Sequence, residues 1–172
     1  MSKGNKKEMF EQKQEAKGAD SAGSKGSLVG VIAGLVIAAV VGYLVLGGGP
    51  QGIKVVSAEN GVVKVKVSDV NDGAAHFYQF NGTQKPVKFF VLKSSDGIIR
   101  AAFDACDVCY REKKGYRQEG DTMVCNNCGQ RFPSVKINEI KGGCNPSPLN
   151  RAIQGEYVVF NVSDIETGGF YF

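Results

Sequence analysis

The chain has no tryptophan and one histidine among its 172 residues. A single histidine excludes a Rieske-type centre, which needs two, and leaves little vocabulary for acid–base catalysis. There is no block of one charge. The 21 Lys and Arg are interspersed with 17 Asp and Glu, for a net charge of +4, which argues against a nucleic-acid-binding surface. Five cysteines are too few for a scaffold built from disulfides. No segment beyond residue 52 carries a strong helical pattern, and no constellation of nucleophile, base and orienting group stands out, so no catalytic residue is assigned.

What is present divides the chain by composition. Residues 1–27 are polar and rich in Lys, Glu, Gln, Gly and Ser, with only Met9 and Phe10 bulky and apolar. Such a segment cannot bury enough surface to offset the entropy of ordering and is expected to be a disordered tail. Only the stretch around Lys6–Lys17 suggests a transient helix. Residues 28–46, "LVGVIAGLVIAAVVGYLVL", contain no charge. As a helix they would span about 28 Å, close to a bilayer core. This predicts a transmembrane helix acting as an uncleaved signal anchor. A cleaved signal peptide is the competing reading, against which the long polar lead argues. Gly30, Gly34, Ala38 and Gly42 recur every four residues, a stripe of small side chains suited to close approach by a second helix, as in a homodimer.

Lys3, Lys6, Lys7, Lys13, Lys17 and Lys25 precede the span, whereas only Lys54 follows closely. That asymmetry predicts a single-pass protein of the inner (cytoplasmic) membrane with its N-terminus in the cytoplasm and its C-terminal domain outside. Residues 47–52, "GGGPQG", are a Gly-rich linker. Residues 53–172 then form a soluble domain large enough to bury a core.

Within that domain "IKVVSA", "VVKVKV", "AHFYQF", "PVKFFVLK" and "IIRAAF" read as successive strands separated by "ENG", "NGT" and "SSDG" turns. "SVKINEI" and "EYVVFNV" read as further strands, and "SDIETGG" as a helical turn capped by Ser163 with Glu166 as its partner. The expected class is mainly β: a small antiparallel barrel or sandwich-like domain carrying a metal-binding ribbon. "SDVNDG" lacks the spacing and terminal Glu of a calcium loop and reads as a turn. Phe77, Tyr78, Phe80, Phe89, Phe90 and Phe103 read as core, and His76 as a structural strand residue.

The chemistry lies in "CDVCYREKKGYRQEGDTMVCNNCG". Cys106-x-x-Cys109 and Cys125-x-x-Cys128 are separated by fifteen residues, the spacing of a four-thiolate ribbon. Each C-x-x-C turn can aim two sulfurs at one centre, and the segment between can fold back as a hairpin. Gly129 suits a knuckle position needing positive φ. The pattern does not name the metal, because zinc, a single iron and a [2Fe–2S] cluster all accept four thiolates. Two disulfides and a thioredoxin-type dithiol remain as alternatives; the latter wants a C-x-x-C opening a helix, which neither pair has. Covalent haem is disfavoured because Tyr110 and Gly129, not His, follow the pairs. Cys144, in the irregular "KGGCNPSPL", is a candidate additional ligand.

The stretch from Phe89 to Leu149, and more weakly the whole domain from Ile53 to the C-terminal "FYF", resembles the FtrD-like family of membrane iron–sulfur proteins. The resemblance rests on "FDACDVC", "GYRQEG", "CNNCG" followed by "FP", and "GGCNPSPL". It implies an iron–sulfur or related centre on Cys106, Cys109, Cys125 and Cys128, with Cys144 inside a family motif. It further implies a membrane redox or iron-uptake partner. With a single apolar span this chain lacks the bulk of a permease, so transport activity does not carry over.

The expected function is electron transfer or iron handling at the extracytoplasmic membrane surface by a redox carrier or metal-binding protein rather than an enzyme. A structural zinc-ribbon interaction module is the alternative, and a thiol oxidoreductase the third.

Overall fold

The computed structural model describes residues 52–172. The expected tail (1–27), transmembrane helix (28–46), small-residue stripe and most of the linker lie outside the described residues. Among the described residues no helix is long and apolar enough to cross a membrane.

Among the described residues ten strands form three sheets. The central sheet holds β1 (Lys54–Val56), β3 (His76–Asn81), β4 (Pro86–Lys93) and β5 (Ile99–Phe103), in the order β1-β3-β4-β5. The second holds β2 (Val62–Lys66), β9 (Ala152–Gln154) and β10 (Tyr157–Asn161), in the order β2-β10-β9. The third is the meander β6 (Tyr116–Glu119), β7 (Thr122–Cys125) and β8 (Arg131–Pro133). A short helix, α1 (Val162–Glu166), follows β10 and continues into a 3-10 turn, Thr167–Tyr171.

The central sheet is buried on both faces, and β4 shows why. Its run "FFVL" is apolar without alternation, as a strand covered on both sides requires. Side chains of a strand alternate between faces. Phe89 and Val91 accordingly pack with Val63, Val65, Val158 and Phe160 of the second sheet. Phe90 and Leu92 pack the other way, with Tyr116, Met123 and Cys125 of the third. The result is three stacked open sheets, not a closed barrel. The aromatics expected in the core are there: Tyr78, Phe80, Phe89, Phe90 and Phe103 are buried, and Phe77 packs against the second cluster.

Several local expectations change. "IKVVSA" and "VVKVKV" do not pair as a ladder. Asn60 and Gly61 turn at positive φ with one bridge, Glu59 to Val62, and the two strands then enter different sheets. β1 instead pairs with β3 in parallel, the exception in otherwise antiparallel sheets. "SVKINEI" is not a strand: Ser134–Lys136 form a 3-10 turn, and Asn138 turns at φ 69°. The Asn138 amide takes the place of a neighbouring strand. It accepts from the Ala101 N–H at 2.9 Å and donates to the Ala101 carbonyl at 2.7 Å. Helix α1 has Asn161, not Ser163, as its N-cap. Glu166 reaches across to Thr83, accepting from its hydroxyl at 3.0 Å. "SDVNDG" is a turn, as expected; Asp72 accepts the Ala74 N–H at 2.9 Å.

Candidate metal centre

β5 runs into the first C-x-x-C, and β7 ends on the second. The hairpin expected between them is β6–β7, in register from Tyr116↔Cys125 to Glu119↔Thr122. It brings Cys125 into the layer between the central and third sheets, beside Cys106. Both are nearly fully buried, at 1% and 2% exposure. In the first turn, the Cys109 N–H donates to Cys106 Sγ at 3.1 Å. In the second, the Gly129 N–H closes on the Cys125 carbonyl at 2.9 Å. Gly129 adopts φ 74°, the left-handed conformation anticipated for it, which other residues enter only at a cost. The Asn126 N–H and side-chain amide tie this knuckle to the Gly115 and Lys114 carbonyls, both at 2.9 Å.

Cys144 arrives from a distant loop. Its approach is fixed by backbone bonds that extend the edge of β5: Phe103 N–H to Ser147 O at 2.8 Å and Ser147 N–H to Ala105 O at 3.0 Å. A bridge between Ala102 and Pro148 continues the pairing. The Tyr116 hydroxyl donates to the Cys144 carbonyl at 2.7 Å. Cys144 Sγ consequently stands 3.7 Å from Cys109 Sγ.

All five sulfurs thus gather in one place. Cys106, Cys109 and Cys125 lie within 4.8 Å of one another, as do Cys109, Cys128 and Cys144. The first trio is the inner one; Cys128 is exposed and Cys144 half-buried. His76 lies elsewhere, with Nε2 2.8 Å from Asp72 Oδ1, and takes no part.

Gathering thiols raises the cost of ionising them together. Burial pushes the Cys125 thiol up to about 11. Burial, followed by the neighbouring Cys128 and Cys109 sulfurs, pushes Cys144 up to about 12. Cys128 goes the other way: the Gln130 N–H aimed at its sulfur lowers it. Such a cluster is poorly suited to stand as free thiolates and well suited to surround cations, which favour the deprotonated sulfur. An all-sulfur donor set without imidazole fits iron–sulfur or zinc chemistry.

Three residues near the sulfurs were not singled out from sequence. Asp104 lines the same small cavity as Cys106, Cys109 and Cys125. Its carboxylate accepts the Tyr116 N–H at 2.7 Å, and burial pushes it up to about 7. It is accommodated because residue 115 is glycine: at φ 63°, a Cβ there would land on the carboxylate. Tyr116 packs among the sulfurs. Burial first, then Cys106, hold its phenol well above the ordinary value, so it remains a donor. Tyr171, from the C-terminal "FYF", donates to Asp107 Oδ1 at 2.6 Å and lies 2.8 Å from Ser147 Oγ. It thereby ties the first C-x-x-C turn to the Cys144 loop. Tyr116 lies inside the "GYRQEG" motif and Asp104 inside "FDACDVC", but neither motif by itself says that these side chains turn toward the sulfurs.

The family model described as "Membrane iron-sulfur containing protein FtrD-like" matches residues 70–172, more than half of the chain. No curated protein and no solved structure matches.

Proposed function

We propose that this chain, which belongs to the FtrD-like family of membrane iron–sulfur containing proteins, holds a thiolate-bound iron–sulfur centre that serves electron transfer or iron handling at the extracytoplasmic membrane surface. The observation that carries the reading is the convergence of all five cysteines, two nearly fully buried and one open to solvent. A bound cluster supplies one-electron exchange without needing a substrate pocket.

This chain's residues do the rest. Cys106 and Cys125 hold the inner end away from water, under Phe90, Tyr116 and Met123. Cys128, on an exposed knuckle, offers the end that a partner protein can approach. The Cys109 N–H donates to Cys106 Sγ. Such a bond favours the more negative state of a thiolate centre and tunes its potential. The partner would be a membrane redox or iron-uptake component, brought close by the anchor expected at residues 28–46.

The β6–β7–β8 meander with a cysteine knuckle also suits a structural zinc ribbon, which is the second reading. The test is purification of the full chain in detergent without oxygen, followed by iron, zinc and acid-labile sulfide analysis and EPR before and after one-electron reduction. Iron and sulfide with a reduction-dependent EPR signal support the proposal. Colourless stoichiometric zinc would overturn it in favour of the ribbon. Reversibly titrating thiols with no metal would point to a thiol oxidoreductase.

A further inference from the structure

The C-x-x-C spacing suggests four equivalent ligands around one centre, but the sulfurs are grouped otherwise. They form two trios that share Cys109, and the outer trio includes Cys144. We infer that the five thiols form a two-metal ligand set, with Cys109 shared between an inner position completed by Cys106 and Cys125 and an outer position completed by Cys128 and Cys144. The inference rests on the reading of the cluster as a metal centre and deepens it by assigning each sulfur to an end.

Three observations carry it. First, two sulfurs on one tetrahedral ion with metal–sulfur bonds of about 2.3 Å stand about 3.8 Å apart. Cys109 and Cys144 are 3.7 Å apart, so Cys144 sits where a ligand sits. Second, the Cys144 loop is held by its own bonds, from Ser147 to Phe103 and Ala105 and from Tyr116 to the Cys144 carbonyl. The position of the sulfur is therefore built into the fold. Third, the charges balance better. Four thiolates around one divalent ion, with the fifth sulfur a neutral thiol, leave about two negative charges uncompensated, whereas five thiolates around two ions leave about one. With Cys106 and Cys125 nearly fully buried, uncompensated charge at the inner end would be costly.

The test uses cadmium as a probe that binds thiolates without building a sulfide cluster. The full chain in detergent, stripped of metal under anaerobic reducing conditions, is titrated with cadmium and followed by native mass spectrometry and by cadmium NMR. The expected result is two cadmium ions per chain, in two sulfur-rich environments with through-bond coupling across Cys109. Cys144→Ser should retain only the inner ion, and Cys125→Ser only the outer. Cys109→Ser should abolish the coupling and weaken both ions. Even an outer-sphere partner of a metal ligand contributes about 10–100-fold in affinity, so each weakening should be at least about tenfold.

One cadmium per wild-type chain with Cys144→Ser unchanged would overturn the inference and leave the metal-centre reading standing. Two ions without coupling would overturn the sharing of Cys109. No binding by the wild-type chain would overturn both. The wild-type stoichiometry and coupling decide the matter even where a variant fails to fold.

Discussion

Asp104 offers the sharpest test of the inner site. Its carboxylate is turned inward on the Tyr116 N–H, and burial raises it from 3.8 in the open to about 7. Between those values the folded protein binds a proton that the unfolded chain does not. Stability from the neutral carboxyl is therefore present at low pH and is lost as pH rises through about 7. From about pH 5 to about pH 7.5 that loss is roughly 2.5 kcal/mol. For a domain of this size it corresponds to a Tm decrease of about 10 °C.

Asp104→Asn keeps an oxygen to accept the Tyr116 N–H and removes the charge. The assay is thermal unfolding of metal-free wild type and Asp104→Asn across this range, below the pH at which most thiols ionise. The difference between the two curves isolates residue 104. Wild type should lose stability relative to the variant as pH rises. Loading the cysteines with a divalent ion should flatten the slope, because a nearby cation favours the carboxylate. Parallel curves for the two metal-free proteins would refute the reasoning.

Cys106→Ser and Cys125→Ser should each lose the inner metal, seen as a lower metal-per-chain ratio, and should also lower Tm, because a ligand that joins β5 to β7 couples binding to folding. Gly115→Ala should destabilise by about 2 kcal/mol or more, from the positive φ and the collision with Asp104. In an Asp104→Ala background the collision is gone, so a denaturant double-mutant cycle should be clearly non-additive. Phe90→Ala empties the space between the central and third sheets and should cost about 3–5 kcal/mol in urea unfolding. It should also loosen the metal, since Phe90 packs on Tyr116 with ring centroids 6.2 Å apart. A membrane-impermeant protease added to spheroplasts should digest the 53–172 domain; protection would reverse the orientation expected from the Lys flanks.

Much of the fold was legible wherever a signal was local. The limits of β4 match the run "PVKFFVLK", and those of β3, β5 and β10 match their apolar runs to within a residue or two, because strand periodicity is written in adjacent residues. The β6–β7 hairpin and the left-handed Gly129 followed from C-x-x-C geometry in the same way. Pairing partners were less legible. β1 and β2 are neighbours in sequence yet enter different sheets, and "SVKINEI" loses its strand to the Asn138 amide on β5. Those choices depend on which edges and faces remain uncovered once the layers stack.

The sequence by itself determined that this protein gathers thiols and has almost no imidazole, that its domain is β-rich, and which family it resembles. Composition, alternation and C-x-x-C spacing are properties of the chain alone. Only the tertiary structure decided that Cys144 stands 3.7 Å from Cys109, that the sulfurs divide into an inner and an outer trio, and that Asp104 and Tyr116 join them. The physical reason is the backbone pairing of residues 147 and 148 with the end of β5. It folds a loop from the far side of the meander onto the first C-x-x-C, across a separation that no local pattern encodes.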